Sequence, residues 1–243
     1  MPITFATATH TGLVRRGNED AFFARPPVFA VADGMGGAQA GEVASAMAVG
    51  CFQYFLPQTA EPDKELASLI ARANQEIFGF ASSGSGREGM GTTITAAVIS
   101  GGRVALGHVG DSRAWLLRDG GLTRLTEDHS LVAEMVREGQ LSEAEAAGHP
   151  QRSVITRALG VDADVQVDTD LVDWRPGDVF LLASDGLHGL VPEERIREIL
   201  AGSDSLGRAA RELVEAANAG GGNDNITVVL FNPDGSVPGE EKA

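Results

Sequence analysis

Thr92-Thr-Ile-Thr-Ala-Ala-Val-Ile-Ser100-Gly-Gly-Arg103-Val-Ala-Leu-Gly-His-Val109-Gly-Asp111-Ser-Arg113-Ala-Trp-Leu-Leu117-Arg-Asp-Gly-Gly121-Leu-Thr-Arg-Leu125 decides the fold. Four apolar runs, at 92–100, 103–109, 113–117 and 121–125, are separated by Gly-Gly, Asp-Ser and Asp-Gly-Gly. Such short runs joined by such turn residues read as a meander of hairpins, and therefore as antiparallel sheet.

Moving outward, the motif of an apolar run ended by an acid recurs. Val28-Phe-Ala-Val-Ala-Asp33-Gly34, Ala105-Leu-Gly-His-Val-Gly-Asp111 and Val179-Phe-Leu-Leu-Ala-Ser-Asp185-Gly186 end on aspartate, and Asp224 heads the run Ile226-Thr-Val-Val-Leu230. Three acids at strand ends and one at a strand start are what antiparallel neighbours present along one edge of a sheet. Two carboxylates about 4 Å apart at an effective dielectric of about 20 repel by roughly 4 kcal/mol, so convergence calls for a cation. No Lys or Arg cluster lies nearby in sequence, which points to hard divalent ions with carboxylate and carbonyl ligands.

Helical periodicity marks 41–56, with Val43, Met47, Cys51 and Phe55 on one face, and 63–80, with Leu66, Leu69, Ile70, Ala73 and Ile77. Short helices are expected at 129–139 and 142–148, the second opened by Ser142 with Glu145 three residues on. Strands return at 165–172, 179–183 and 226–231, and helices at 192–200 and 206–217. Helices and strands come in blocks, which predicts an α+β layered architecture in place of a doubly wound parallel sheet.

The 243 residues read as one domain over 1–232 with a fraying tail at 233–243. A net charge of −15, from 34 acids against 19 Lys and Arg, argues against nucleic acid or an anionic membrane as partner. The single cysteine, Cys51, can make no internal disulfide, no run is long enough to span a bilayer, and the N-terminus lacks the pattern of a signal peptide. The expectation is a cytoplasmic monomer.

Around the acids lie motifs with chemical meaning. Gly12-Leu-Val-Arg15-Arg16-Gly17-Asn18-Glu19-Asp20 offers a guanidinium fork suited to phosphate, and two acids able to hold metal-bound water. Taken alone it reads more readily as a surface turn with a local ion pair; its weight comes from the motifs around it. In Asp33-Gly34-Met35-Gly36-Gly37 the glycine after the acid lets the backbone approach an ion, so the Gly34 carbonyl is a candidate ligand. Ser184-Asp185-Gly186 and Asn223-Asp224-Asn225 repeat the theme. Three carboxylates can bind two Mg or Mn ions that share an acidified water, which suits in-line attack on a phosphoester. A purely structural calcium site is disfavoured because no Asp-x-Asp-x-Asp-Gly loop is present.

Taken in order, Arg15, Glu19-Asp20, Asp33-Gly-Met-Gly-Gly37, Gly89-Met-Gly-Thr-Thr93, Gly110-Asp111-Ser-Arg113, Ser184-Asp185-Gly186 and Asn223-Asp224-Asn225 resemble the metal-dependent protein serine/threonine phosphatases of the protein phosphatase 2C family, in bacterial form. The resemblance runs from about Thr7 to Phe231. It implies two antiparallel sheets packed face to face, flanked by helices on both outer faces, with a small flap at about 137–160. It further implies two or three Mn or Mg ions: Asp33 bridging two, the Gly34 carbonyl on one, Asp185 and Asp224 completing the first, Asp111 with Asp185 on a third, and Glu19 acting through water. Arg15, ahead of Arg16, would hold the substrate phosphate. Substrates would be phosphoserine and phosphothreonine proteins, and the counterpart a bacterial Ser/Thr kinase.

Two departures stand out. Met35 replaces the histidine of many eukaryotic members and has no proton to give a leaving alkoxide. His188, in Ser-Asp-Gly-Leu-His-Gly, reads as a solvated or packed residue more than as part of the site. Of the others, His108 reads as core, His129 as a cap for the next helix, and His10 is unplaced. His149, Arg137, Arg152 and Arg157 give the flap local positive charge that either gathers phosphopeptides or merely solvates a loop. The rival functions are a phosphoprotein-binding module without turnover, which the full acid set disfavours, and a hydrolase of small phosphoesters.

Overall fold

The computed structural model describes residues 3–36, 40–83 and 89–235. Gly37 of the Asp33 motif and tail residues 236–243 lie outside the described residues. The four runs of the meander form β5 (Ile94–Ser100), β6 (Arg103–Val109), β7 (Arg113–Arg118) and β8 (Gly121–Arg124). They do not stay in one sheet. β5 pairs with β6 and β7 with β8, but between β6 and β7 the expected Asp-Ser hairpin is instead a crossing from one sheet to the other. Gly110 makes the crossing at φ +114°, a left-handed backbone that a Cβ would drive into Thr93 at 2.6 Å.

One sheet has the order β1 (Thr4–His10), β11 (Ile226–Asn232), β10 (Val179–Ala183), β7, β8. The other runs β2 (Asp20–Arg25), β3 (Val28–Met35), β5, β6, β9 (Asp168–Asp173), with β4 (Gly91–Thr92) paired to the end of β3. All pairings are antiparallel. Helices α1 (Ala40–Gly50) and α2 (Pro62–Ala81) cover the second sheet through Ala44, Leu66, Ile70 and Ile77, joined by Phe52 from the turn between them. Helices α5 (Asp185–His188), α6 (Glu193–Gly202) and α7 (Leu206–Ala219) cover the first through Ile196, Leu213 and their neighbours. The product is the expected four-layer sandwich, helix, sheet, sheet, helix. Two short helices, α3 (Leu131–Arg137) and α4 (Glu143–Ala147), stand outside these layers, and Ser142 and Glu145 close the anticipated capping box.

Local departures have local causes. The helix expected over 41–56 ends at Gly50 and continues as a 3-10 turn, Cys51–Tyr54, in which burial pushes the Cys51 thiol up to about 12 and leaves it unreactive. The cap of α3 is Ser130, whose Oγ accepts from Ala133 N–H at 3.3 Å, and not His129. After β11 the chain turns at Pro233 and Asp234, both buried.

Between the sheets the core is aromatic. Phe231 stacks on Phe29 at 4.3 Å and on Phe180 at 5.0 Å, surrounded by Val31, Leu106, Leu116, Leu182 and Val229. Because strand side chains alternate, these inward faces continue into Asp33 after Val31, His108 after Leu106, Ser112 before Ala114, Ser184 after Leu182 and Thr227 before Val229. These five strands thus turn polar at the same end of the sandwich. Phe231→Ala is expected to destabilise the protein by about 3–5 kcal/mol, since it removes a ring stacked on both sides, and urea denaturation would read this directly.

Candidate functional site

The polar rim gathers acids from both sheets. The expectation of a single sheet edge is corrected here: Asp20 and Asp33 face each other across the β2–β3 ladder of the second sheet, and Asp185 and Asp224 lie beside β10 and β11 of the first. Asp111 sits on the crossing between them. The end of one sheet alone could not surround an ion with this set, whereas the mouth of a sandwich can.

Backbone contacts fix Asp33 independently of its side chain. Its N–H donates to Thr93 Oγ1 at 2.9 Å, and its carbonyl accepts from Thr93 N–H at 2.9 Å and Thr92 Oγ1 at 2.8 Å. Gly34 follows with its N–H on the Glu19 carbonyl at 3.2 Å, and a Cβ here would lie 2.2 Å from the Gly41 carbonyl. Glycine at 34 is therefore required by the approach of α1. Glu19 is pinned by its N–H to Asn225 Oδ1 at 2.8 Å, and Asn225 also binds the Thr11 and Gly17 carbonyls, both at 2.9 Å. One amide thus carries the loop of Arg15 to Glu19 against the start of β11.

Arg15, which the sequence reading gave to a phosphate, reaches Asp224 Oδ2 at 2.6 Å. Both partners are substantially exposed, so the pair is worth little to stability and can open to admit another anion. Asp20, read from the sequence only as company for Glu19, is the residue that reading undervalued. Its Oδ2 accepts from Ser184 Oγ at 2.7 Å, tying β2 of one sheet to β10 of the other. The available signal was its place opposite Asp33, which becomes visible only once β2 is recognised as a strand.

The electrostatics are those of an acid cluster short of positive charge. Burial, with the Asp20, Asp185 and Asp111 charges, lifts the Asp33 carboxyl well above the usual range. Burial and Asp185 hold Asp111 up at about 8, and burial holds Asp20 at about 7 despite hydrogen bonds from Thr227 and Ser184. Burial and Asp224 raise Asp185, opposed by a hydrogen bond with Asp33. The carboxylate oxygens Asp20 Oδ1, Asp111 Oδ1 and Asp185 Oδ1 are buried and find no hydrogen-bond partner among the described residues. Among those residues no three His, Cys, Asp or Glu side chains are closed around one point at ligating distance. Mutual repulsion and the Arg15 pair oppose such closure, and a divalent cation would favour it. Hard oxygen donors with free lone pairs fit such an ion.

His188 is packed, as the sequence suggested. It is half-buried, with Nε2 3.1 Å from the Asp111 carbonyl, and desolvation of the ring pushes it down to about 3. His108 is core, pushed down to about 4 by burial and by His129.

The family description protein phosphatase 2C matches residues 14–218. The serine/threonine phosphatase stp of Listeria monocytogenes is 41% identical over 244 residues, covering 96% of this chain and 97% of that one. The crystal structure of the Mycobacterium tuberculosis serine/threonine phosphatase PstP/Ppp superimposes with a TM-score of 0.90 at 39% identity, covering 95% of this chain and 98% of that one. A PstP catalytic domain in complex with 2 manganese ions gives 0.86 at 37% identity, covering 95% and 97%. By its motifs, its four-layer sandwich and these similarities, the chain belongs to the protein phosphatase 2C family.

Proposed function

We propose that this protein hydrolyses phosphoserine and phosphothreonine in other proteins, using two or three Mn or Mg ions held by Asp33, the Gly34 carbonyl, Asp185 and Asp224, with Asp111 on a third and Glu19 acting through water. The observation that carries the reading is the convergence of buried, partnerless carboxylate oxygens from both sheets on one rim. Bound there, the ions would supply Lewis acidity, activating a water for attack on phosphorus and offsetting charge on the phosphoryl oxygens.

The chain's own residues do the rest. Arg15 exchanges Asp224 for two oxygens of the substrate phosphate, a match of fork to fork that also orients phosphorus. Asp20 and Ser184 hold the sheets in register behind Asp33 and Asp185. Met35 gives no proton. The residues at about 137–160 serve as the flap. The enzyme works as a monomer in the cytoplasm on phosphoproteins made by an opposing Ser/Thr kinase. Its acidity supports the absence of nucleic acid and anionic membrane from its partners, and no helix of the described residues is long and apolar enough to cross a membrane.

The test is phosphate release from a phosphothreonine peptide with manganese, with magnesium and with a chelator, beside Asp185→Asn. Release that requires metal and is lost in the variant is expected; a folded protein silent with every metal would move the reading to a phosphoprotein-binding module. Arg15→Ala should raise KM for the peptide by about tenfold or more, the loss of one charge-assisted hydrogen-bonded pair. An unchanged KM would remove Arg15 from the substrate.

A further inference from the structure

The turn that carries Asp111 is held by two histidines from opposite sides. β6 ends at Val109, so the buried Gly110 N–H has no strand partner, and it donates to His129 Nδ1 at 3.0 Å. The same residue returns the bond, its backbone N–H donating to the Gly110 carbonyl at 2.8 Å. One residue on, the Asp111 carbonyl accepts from His188 Nε2 at 3.1 Å. His188 lies at the end of α5, the short helix that Asp185 begins. The peptide groups on both sides of Asp111 are thus fixed while its Oδ1 is left without a partner.

His129 also reaches outward. An Nδ1 that accepts from an amide places the ring proton on Nε2, which faces Asp168 Oδ2 at 3.0 Å. Arg157 Nη1 donates to Asp168 Oδ1 at 2.6 Å; its 2.9 Å approach to His129 Nε2 sets two N–H groups against each other and is no hydrogen bond. The backbone follows the same route. Thr156 N–H donates to the His129 carbonyl at 2.8 Å, Leu131 N–H to the Val154 carbonyl at 2.9 Å, and Ser130 bridges Ile155. Residues 154–157 are the arm by which the exposed segment 138–153 re-enters the sandwich. A single side chain therefore joins that arm to the Asp111 turn.

We propose that His129 and His188 are positioning residues that clamp the Gly110–Asp111 turn, and that His129, through Asp168 and Arg157, couples the placement of segment 138–157 to that of the Asp111 carboxylate. The consequence for metal rests on the reading of Asp111 as a ligand; the mechanical link to the segment does not.

Two measurements on the metal-stripped full chain test it: a calorimetric titration with manganese, and hydrogen exchange over 138–153. His129→Leu and His188→Leu should each weaken the weakest manganese step by at least about tenfold, the usual cost of losing a group that orients a ligand. His129→Leu should also speed exchange in the segment. His129→Asn, whose Oδ1 can replace Nδ1 but cannot reach Asp168, should restore the manganese step and leave exchange fast, and Asp168→Asn should behave the same way. Wild-type titration and wild-type exchange in His129→Leu and His188→Leu would overturn the proposal. If His129→Leu does not fold, unaltered exchange in both His129→Asn and Asp168→Asn would overturn it. A wild-type chain with no weak manganese step would remove Asp111 from the metal while the exchange data still decide the link.

Discussion

Asp33→Ala is expected to lower phosphopeptide turnover by more than about 10³-fold, because even one preorganised charge-stabilising group is commonly worth about 10²–10³ in rate and Asp33 is proposed to serve two ions at once. The fold should survive. The backbone of residue 33 is held by Thr92 and Thr93 whatever its side chain, and the carboxyl it loses is buried among Asp20, Asp111 and Asp185. In chelator the variant should therefore unfold at a temperature no lower than wild type, while manganese should raise the melting point of the wild type and do much less for the variant. Turnover comparable to wild type would sink the metal assignment; a melting point well below wild type in chelator would show that the acid is structural.

The second large effect concerns pH without metal. Asp20 and Asp111 carry folded-state values near 7 and 8 against an ordinary 3.8, so the folded chain keeps protons that the unfolded chain has lost, and their contribution to stability declines as pH rises through those values. His108 and His188, pushed down to about 4 and about 3 from 6.5, act in the opposite sense: their contribution is lost as pH falls below 6.5. Between about pH 4 and 6.5 the two pairs offset each other. From 6.5 to 8 only the carboxyls still titrate, and each retained proton is worth about 1.4 kcal/mol per pH unit. Urea denaturation in chelator should show stability falling by about 1–3 kcal/mol over that interval. Manganese should reverse the trend, and its binding should release protons, visible as an enthalpy that depends on the buffer. A stability level from pH 6.5 to 8 in chelator, or binding with no proton release, would contradict the buried-acid description.

Much of this was legible in the sequence, for a definable reason. The central strands are buried on both faces, so they read as continuous apolar runs, and the acids that end them stand out. Two of the four edge strands did not read. β1, Thr-Phe-Ala-Thr-Ala-Thr-His, and β2, Asp-Ala-Phe-Phe-Ala-Arg, each pair on one side only, are half solvated, and carry no apolar run longer than the four residues 21–24. With β2 unread, Asp20 could not be seen opposite Asp33. The division of the meander was hidden as well, because Gly110-Asp111-Ser112 has the composition of a hairpin turn and its departure toward the other sheet depends on Thr93 and His129, distant in sequence. His129 itself looked like a cap because it precedes a helix; its role depends on Gly110 and Asp168, which no local pattern brings to it.

The stacked rings of Phe29, Phe231 and Phe180 acquire a further meaning from the rim above them. Phe29 is four residues from Asp33 on β3, and Phe180 and Phe231 lie on the strands beside which Asp185 and Asp224 sit. Phe29 reaches in from one sheet and Phe231 and Phe180 from the other, so the stack is a seam that joins the two sheets whose acids face each other above it. Remodelling the rings would shift one sheet against the other, and with it the spacing of acids that no ring touches.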